Sequence, residues 1–239
     1  MAPPSFEILH ECEACLAVNK PAGILTQGPP HIPALDKAVR AYLAASKQDV
    51  GTVYLGVPHR LDRPVTGAIV FTRHARATRR LTEQFQGRMV RKIYWACVEG
   101  RLKPGHGVLR DFVRKVPDEP RAEIVPPDHP EARAAILNYR VIGRTAWGDA
   151  LEIELETGRM HQIRLQLASR GHPILGDLSY GGTTNLDDAN SDPRLRPIAL
   201  HARSLSYLQP MTYEPIQVTA PLPKIWEQAG LAGAFANLS

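Results

Sequence analysis

The sequence is poor in cysteine, since Cys12, Cys15 and Cys97 are the only three in 239 residues. A small, odd number of cysteines argues against a disulfide framework and suits a reducing compartment, so we expect a cytoplasmic protein. Cys12 and Cys15 have the spacing of a metal-binding pair, but no second cysteine pair or cysteine–histidine cluster follows them. Because a structural zinc site needs four ligands, the sequence predicts ordinary thiols and no metal.

Long hydrophobic runs are also absent. No uncharged apolar run approaches the length of a membrane-spanning helix, about 20 residues, and the N-terminus lacks the basic start and apolar stretch of a signal peptide. The sequence therefore predicts no membrane partner. Hydrophobic residues still make up 44% of the chain, which is long enough to bury a core without disulfides or metals.

Acidic residues are outnumbered, 24 against 29 basic residues, and the formal net charge is +5. The excess is concentrated between residues 73 and 92, where seven basic residues accompany a single acid, Glu83. The basic residues are Arg73, Arg76, Arg79, Arg80, Arg88, Arg91 and Lys92. Such clustering is typical of proteins that bind a phosphate backbone. The sequence therefore indicates a polyanionic partner.

Short strands outnumber helices in the hydrophobic pattern. The pattern predicts strands at 16–19, 67–72, 93–98, 136–142, 151–155, 199–208 and 216–220, and helices at 36–47, 75–89, 160–169 and from Lys224. It predicts loops around short strands at 104–106 and 117–130, and a Gly- and Asp-rich surface loop at 176–192. Strands without regular helical crossovers predict an α+β domain with a largely antiparallel sheet.

The most informative segment is 59–67, His-Arg-Leu-Asp-Arg-Pro-Val-Thr-Gly, which leads into an apolar run. It places one carboxylate, Asp62, between Arg60 and Arg63, on a predicted loop beside a strand. Nearby positive charges favour the ionised form of a carboxyl group, and an ionised carboxylate can act as a nucleophile or a base. A structural ion pair would give the same pattern, so other segments must decide between these interpretations.

Further ordered segments complete a pattern that spans residues 18–202. They are Val-Asn-Lys-Pro-Ala-Gly at 18–23, Arg-Lys-Ile-Tyr-Trp-Ala at 91–96, Glu-Thr-Gly-Arg-Met-His-Gln-Ile-Arg at 156–164, His-Pro-Ile-Leu-Gly-Asp at 172–177 with Tyr-Gly at 180–181, and Leu-His-Ala at 200–202. With His-Arg-Leu-Asp, they resemble the motifs of the RluA-type pseudouridine synthases, which isomerise uridine to pseudouridine in RNA. The resemblance implies the α+β fold of that family, a mixed, mainly antiparallel sheet flanked by helices and loops, with a central active-site cleft.

The resemblance also implies roles for four residues. Asp62 would be the catalytic carboxylate, and Arg164 would pair with it through charge-assisted hydrogen bonds. Tyr94 would stack on the uracil and serve in proton transfer at C5, with Ile163 packing beneath the base. No cofactor is implied. From the residues alone, a tyrosine packed in the core or a solvated helical arginine would give the same pattern.

RNA contacts are implied as well, because the target uridine must leave its stack to reach a pocket, which costs a few kcal/mol. Arg60 resembles the family arginine that occupies the vacated space. The other candidate RNA-binding residues are His59, Arg63, Arg76, Arg80 and Lys92. For His59 a structural role beside the turn is the preferred interpretation.

The sequence departs from the family pattern in two places. Residues 65–67 are Val-Thr-Gly where most relatives have Thr-Ser-Gly or a close variant, which affects substrate choice more than activity. Many relatives also begin with an S4-type RNA-binding domain, whereas only a short lead, 1–14, precedes the first family strand here. We therefore expect residues 1–239 to form a single catalytic domain with no separate RNA-binding domain, acting as a monomer without an obligate protein partner.

The leading interpretation is an RNA pseudouridine synthase acting on a stem-loop of ribosomal or transfer RNA, and the sequence does not say which. The main alternative is a non-catalytic RNA-binding or ribosome-assembly protein on the same fold. The combination of Asp62, Tyr94 and Arg164 argues against that alternative, since binding alone does not require all three. A nucleotide or phosphate hydrolase is less supported, because the sequence has no Gly-rich phosphate loop or recognisable set of metal ligands.

Overall fold

The computed structural model describes residues 6–46, 53–187 and 192–238. In chain order the strands are β1 (Glu7–Glu11), β2 (Cys15–Lys20), β3 (Thr66–Thr72), β4 (Arg91–Cys97), β5 (His106–Lys115), β6 (Ala122–Ile124), β7 (Arg133–Arg144), β8 (Asp149–Leu155), β9 (Leu200–Leu208) and β10 (Pro215–Thr219). The α-helices are α1 (Leu35–Ser46), α2 (Ala75–Gln86), α3 (Gln162–Ala168) and α4 (Lys224–Gln228). Short 3₁₀ helices span Leu178–Tyr180, Pro193–Leu195 and Ala232–Leu238.

The chain divides into two compact units, each assembled from segments that are distant in the sequence. The first comprises Met1–Arg91, Asp192–Leu195 and Ala202–Pro221. The second comprises Lys92–Ser191, Arg196–His201 and Leu222–Ser239.

In the first unit the strand order is β1-β2-β3-β9, with β10 on the other side of β9. The β1/β2, β2/β3 and β9/β10 pairs are antiparallel. All seven residues of β3 are buried, because its apolar run has no polar alternation that would leave one face in water. From α2, Ala77 and Leu81 are buried. A hydrophobic core cluster of this unit contains Cys15, Ala17, Ala68, Val70, Leu81, Val90, Leu205, Tyr207, Val218 and Ala220.

Gly67 lies at the start of β3, five residues after Asp62, where only glycine fits. Its φ is +114°, and a Cβ there would lie 2.3 Å from the carbonyl oxygen of Ala202 on β9. Any larger residue would meet backbone at that point, which cannot move aside as a flexible side chain can. Glycine therefore allows the strand after the Asp62 loop to approach β9 closely.

In the second unit the strand order is β4-β8-β7-β5-β6, and the β4/β8, β8/β7, β7/β5 and β5/β6 pairs are antiparallel. The strand predicted at 151–155 is present as β8, in which Leu151 and Ile153 are buried while Glu152 and Glu154 are partly exposed. It pairs with β7, which contains the strand predicted at 136–142.

Most predicted elements are present, with boundary differences that have local causes. The second helix ends at Gln86 instead of residue 89, because Gly87 caps it. Helix α3 begins at Gln162, later than predicted, because His161 is left-handed with φ +51°. The predicted end of the first helix, Lys47, lies outside the described residues.

Three predictions need correction. The lead 1–14 contains β1, whose polar residues hide the strand pattern, while residues 1–5 lie outside the described range. His106, predicted in a loop, begins the ten-residue strand β5. Within the predicted surface loop 176–192, Asp177 is only 2% exposed, and residues 188–191 are not described. The prediction of surface exposure was wrong there because Gly and Asp favour turns but do not report burial.

The predicted fold class is confirmed by this mostly antiparallel arrangement with few helices. Among the described residues, no helix is both long enough and apolar enough to cross a membrane.

Candidate active site

The loop that holds Asp62 is fixed by the buried amino group of Lys20, which is 0% exposed. Its Nζ donates hydrogen bonds to the carbonyl oxygens of Pro21, Arg63 and Val65, at 2.9, 3.1 and 2.8 Å. The Val65 N–H also donates to the carbonyl oxygen of Asp62, at 3.1 Å. The backbone on the C-terminal side of Asp62 therefore has a fixed course.

The backbone on both sides of Asp62 makes further bonds to the segment after β2. Leu61 exchanges hydrogen bonds with the hydroxyl of Thr26, donating its N–H at 3.1 Å and accepting at its carbonyl at 2.9 Å. Arg63 and Gly23 are joined twice, because the Arg63 Nε donates to the Gly23 carbonyl and the Gly23 N–H donates to the Arg63 carbonyl, both at 2.9 Å. Asp62 itself is half-buried, so its position is set while part of its side chain still reaches solvent.

Burial also changes the ionisation of Lys20. Removal from water lowers the pKa of its amino group to about 7, while the negative charge of Asp62 opposes this and the positive charge of Arg63 adds to it. The side chain that orders the loop is thus electrostatically linked to the candidate catalytic carboxylate.

His59 and Arg60, the first two residues of the 59–67 segment, differ in their surroundings. His59 packs within the first unit, where its Nε2 accepts a hydrogen bond from the Val70 N–H at 3.1 Å and its ring stacks on Phe85 at 4.4 Å. These contacts favour the structural role for His59. Arg60 is exposed, as a residue that inserts into RNA would have to be.

The basic residues of α2 fall into two groups. Arg76 is exposed. Arg80 is half-buried, donates to the carbonyl oxygen of Pro210 at 3.0 Å, and lies over the ring of Tyr213 at 5.1 Å. Arg80 therefore has a structural role in the first unit, in addition to the RNA contact that the sequence predicts for it.

In the second unit, Arg164 is 4% exposed and forms a two-point ion pair with Asp177. Its Nε and Nη2 donate to the two carboxylate oxygens at 2.7 and 2.8 Å. The Tyr180 ring lies 4.9 Å from the guanidinium carbon, and the Tyr180 hydroxyl lies 2.9 Å from Nδ1 of His161. The guanidinium group is thereby held in one orientation.

The remaining predicted residues of this unit lie on β4 and α3. Tyr94 is half-buried on β4, opposite Ile153 of β8, while its neighbour Trp95 is buried and stacks on Phe235 at 4.8 Å. Ile163 is buried beside Arg164 in α3, and Lys92 is half-buried. The pairing of Arg164 with Asp62 and the stacking of Tyr94 on uracil remain predictions.

Three residues that fix the site were not singled out as site residues from the sequence. Asp177 and Tyr180 lie in a segment that resembles a family motif, but the surrounding Gly- and Asp-rich composition indicates a surface loop. Lys20 belongs to the Lys-Pro-Ala-Gly segment, which by itself implies no role for its amino group. The usable signal is that each of the three residues lies inside a segment that resembles a family motif.

Comparison with known proteins identifies the family. The family model described as RNA pseudouridylate synthase matches residues 14–169, well over half of the chain. The chain belongs to the RNA pseudouridylate synthase family. As a member of it, the protein is an isomerase, and the resemblance drawn from the sequence motifs is confirmed.

Curated relatives agree with this assignment. An uncharacterised RNA pseudouridine synthase of Synechocystis sp. is 33% identical over 229 residues, which cover 93% of this chain and 67% of the relative. The ribosomal large subunit pseudouridine synthase D of Xylella fastidiosa is 34% identical, with 92% of this chain and 66% of the relative covered. The tRNA pseudouridine synthase C of Vibrio parahaemolyticus is 30% identical, with 95% of each chain covered. The chain thus spans about two thirds of the first two relatives.

A solved structure supports the fold of this pseudouridine synthase. Human RNA Pseudouridylate Synthase Domain Containing 4 matches with a TM-score of 0.75 and 24% identity, covering 97% of this chain and 92% of that one. The Asp62 motif, Tyr94 and Arg164 all lie within the residues matched by the family model.

Proposed function

We propose that this chain converts specific uridines of structured RNA into pseudouridine, with Asp62 as the catalytic carboxylate. The observation that carries the proposal is the half-buried Asp62 on a loop whose backbone accepts hydrogen bonds from the buried Lys20. A reacting group must keep its geometry without being enclosed, because the substrate has to reach it. This loop meets both requirements.

The proposed reaction is an isomerisation, so its atoms balance without a cofactor. The bond between N1 of uracil and C1′ of ribose breaks, the base rotates, and a bond forms between C5 and C1′. The proton lost from C5 is replaced by one at N1. Asp62 either attacks the sugar or removes a proton from it, and the two routes share the same carboxylate.

Tyr94, Ile163 and Arg164 are proposed to complete the reaction. Tyr94 would stack on the uracil and assist proton transfer at C5, and Ile163 would contact the base. Arg164 would orient Asp62 with charge-assisted hydrogen bonds. Its ion pair with Asp177 supports this role, because a guanidinium group held by one carboxylate is already oriented when it meets another.

The proposed substrate is a stem-loop of ribosomal or transfer RNA, the two RNA classes that appear in the names of the Xylella and Vibrio relatives. Arg60 would occupy the space that the flipped uridine leaves. Arg63, Arg76, Arg80 and Lys92 would contact RNA, with His59 shaping the loop. We further propose that residues 1–239 act as one catalytic domain, as a monomer, in the cytoplasm.

The test maps pseudouridine in total cellular RNA by chemical labelling and primer extension. The comparison uses cells that lack the protein and cells complemented with the wild type, Asp62→Ala or Asp118→Asn. Asp118 is exposed and has a positive φ of 56°, which asparagine tolerates, so Asp118→Asn is a matched control.

We expect a ribosomal or transfer RNA site to lose pseudouridine without the protein, and the wild type and Asp118→Asn to restore it. Asp62→Ala should not restore it. If no site changes in either RNA class while ribosome or transfer-RNA maturation is altered, the catalytic proposal fails and the non-catalytic RNA-binding alternative replaces it.

A further inference from the structure

The hairpin between β1 and β2 brings together three side chains that the proposed isomerisation does not use. Cys12 and Cys15 flank its two-residue turn, and the Cys12 N–H donates to the Cys15 carbonyl oxygen at 2.9 Å. Residues that face each other across a hairpin project from the same side, as do residues two apart on one strand. His10 therefore joins the two cysteines on one face.

The ligand atoms of His10, Cys12 and Cys15 all lie within 4.8 Å of one another. The two sulfur atoms are 3.3 Å apart. A tetrahedral zinc site with two sulfurs and one imidazole nitrogen has ligand atoms about 3.5–3.8 Å apart. Small side-chain rotations, moving atoms by about 1 Å, would bring the three residues to that geometry.

His10 provides an independent observation. Its Nε2 is buried and has no hydrogen-bond partner among the described residues. Buried polar atoms are nearly always bonded, and each exception calls for an explanation such as an ion. One ring nitrogen of His10 lies within 4.8 Å of both sulfur atoms, and a metal bound by the imidazole would account for a ring nitrogen that no group in the described part of the chain satisfies.

We propose that His10, Cys12 and Cys15 form a binding site for Zn²⁺ on the β1/β2 hairpin. Two thiolates and an imidazole are the ligand types that zinc prefers, and thiolate sulfur selects against Mg²⁺ and Ca²⁺. Three protein ligands leave the fourth position to water. Cys12 is half-buried whereas Cys15 is fully buried, so the ion would enter from the Cys12 side.

Two neighbouring side chains would support the proposed zinc site. The Tyr207 hydroxyl lies 3.5 Å from the Cys15 sulfur and can donate a hydrogen bond to it, as outer partners of metal ligands commonly do. The Arg73 guanidinium donates to the Cys12 carbonyl oxygen at 3.1 Å and to Glu11 at 3.0 Å. It thereby holds the turn that carries Cys12 and Cys15.

The proposed zinc site belongs to the hairpin that leads into Lys20, not to the isomerisation. Bound Zn²⁺ would cross-link β1 to β2 and stabilise the folded chain by mass action. The chemistry of Asp62 needs no metal, so the zinc proposal and the proposed function can fail separately.

The experiment uses the full chain, reduced and freed of metal by chelation. Zn²⁺ is titrated in competition with a chromophoric chelator, and Co²⁺ is added separately to detect absorption from thiolate-to-cobalt charge transfer. The variants are Cys12→Ser and His10→Gln. Cys97→Ser is the control, because Cys97 is buried on β4 and outside the cluster.

We expect one Zn²⁺ per chain, and an increase in melting temperature when it binds. Cys12→Ser and His10→Gln should each weaken binding at least about a hundredfold, while Cys97→Ser binds as the wild type does. The charge-transfer absorption should fall in Cys12→Ser.

The proposal is overturned if the reduced wild type binds no stoichiometric Zn²⁺, including the case in which Cys12 and Cys15 instead form a disulfide on exposure to air. It is also overturned if Cys97→Ser weakens binding as much as Cys12→Ser does. Circular dichroism of each metal-free variant shows whether it is folded, and His10→Gln supplies a second variant if Cys12→Ser is not.

Discussion

Asp62 and Arg164, the two charged residues expected to meet in the reaction, are held in different ways. The Asp62 loop is fixed through its backbone, by Lys20, Thr26 and Gly23, and the carboxylate stays half-buried. Arg164 is fixed through its own side chain, by a buried carboxylate and an aromatic ring. Changing the Asp62 side chain should therefore spare the fold, whereas changing the contacts of Arg164 should not.

This difference follows from the cost of burying charge. A buried ion pair compensates a large loss of hydration, so removing one partner leaves the other charge uncompensated. A half-buried carboxylate keeps part of its hydration and contributes less to stability. The two residues should consequently separate activity from stability when they are substituted.

The largest effect is expected for Asp62→Asn, which keeps the size of the side chain but removes its charge and basicity. Pseudouridine formation on the identified RNA should fall by about 10⁴-fold or more, because asparagine can neither attack the sugar nor accept its proton. The melting temperature should stay near that of the wild type. Single-turnover assays with Asp118→Asn as the control measure this, and a residual rate within tenfold of the wild type would contradict the role of Asp62.

The second effect concerns stability. Asp177→Ala leaves the Arg164 guanidinium buried without its carboxylate, and should lower the free energy of unfolding by about 3–5 kcal/mol. Urea denaturation measures the change. Asp192→Ala is the matched control, because Asp192 pairs with Arg194 in an exposed position, where ion pairs contribute little. If both variants lose the same free energy of unfolding, burial does not make the Arg164–Asp177 ion pair contribute more than the Arg194–Asp192 pair.

The sequence predicts the strands and helices and singles out Asp62, but it does not predict the contacts that hold Arg164. Strands and helices follow from hydrophobic periodicity, and Asp62 stands out as a lone carboxylate between arginines. The Arg164–Asp177 pair joins residues 13 apart through a turn at Gly176, where φ is +85°, and no periodicity reports such a contact. The composition around Asp177 even indicated exposure.

The strand β1 and the cluster at its end were missed for a related reason. Glutamate and histidine dilute the alternation of β1, so the sequence pattern indicates no strand there, and the metal-ligand spacing of Cys12 and Cys15 does not include His10. His10 and Cys12 lie on the β1 side of the hairpin and Cys15 on the β2 side. The hairpin register, with His10 opposite Ala17 and Cys12 bonded to Cys15, brings all three to one face.

The third effect is expected for Lys20→Met, which removes the amino group but keeps an apolar stem. Three carbonyl oxygens around the Asp62 loop lose a hydrogen-bond donor, so the free energy of unfolding should fall by about 1–3 kcal/mol. Lys37→Met is the control. Lys37 also donates to three carbonyl groups, those of Pro29, Pro30 and Ile32, but it is half-exposed and water can replace it, so the loss should be smaller.

Lys20 should also produce a specific pH dependence. Its pKa is lowered to about 7 in the folded chain from an ordinary value of 10.5. Between these two pH values Lys20 is protonated in the unfolded chain and neutral in the folded chain. The contribution of Lys20 to the free energy of unfolding therefore falls as the pH is lowered from 10.5 to about 7, and it does not change further below about pH 7. The stability difference between the wild type and Lys20→Met should grow in favour of the wild type as the pH is raised through this window. Parallel pH profiles from urea denaturation would contradict the lowered pKa.

The smallest effect separates the two contacts of Tyr180 with the Arg164 site. Tyr180→Phe keeps the ring 4.9 Å from the guanidinium carbon but removes the hydroxyl that contacts His161 and accepts from the Ala122 N–H at 3.0 Å. It should lower the free energy of unfolding by about 1 kcal/mol. Tyr180→Leu removes the ring as well, and the loss of the cation–π contact should add about 0.5–2 kcal/mol. If both variants lose the same stability in urea denaturation, the ring does not hold Arg164, and Asp177 alone accounts for the orientation of its guanidinium group.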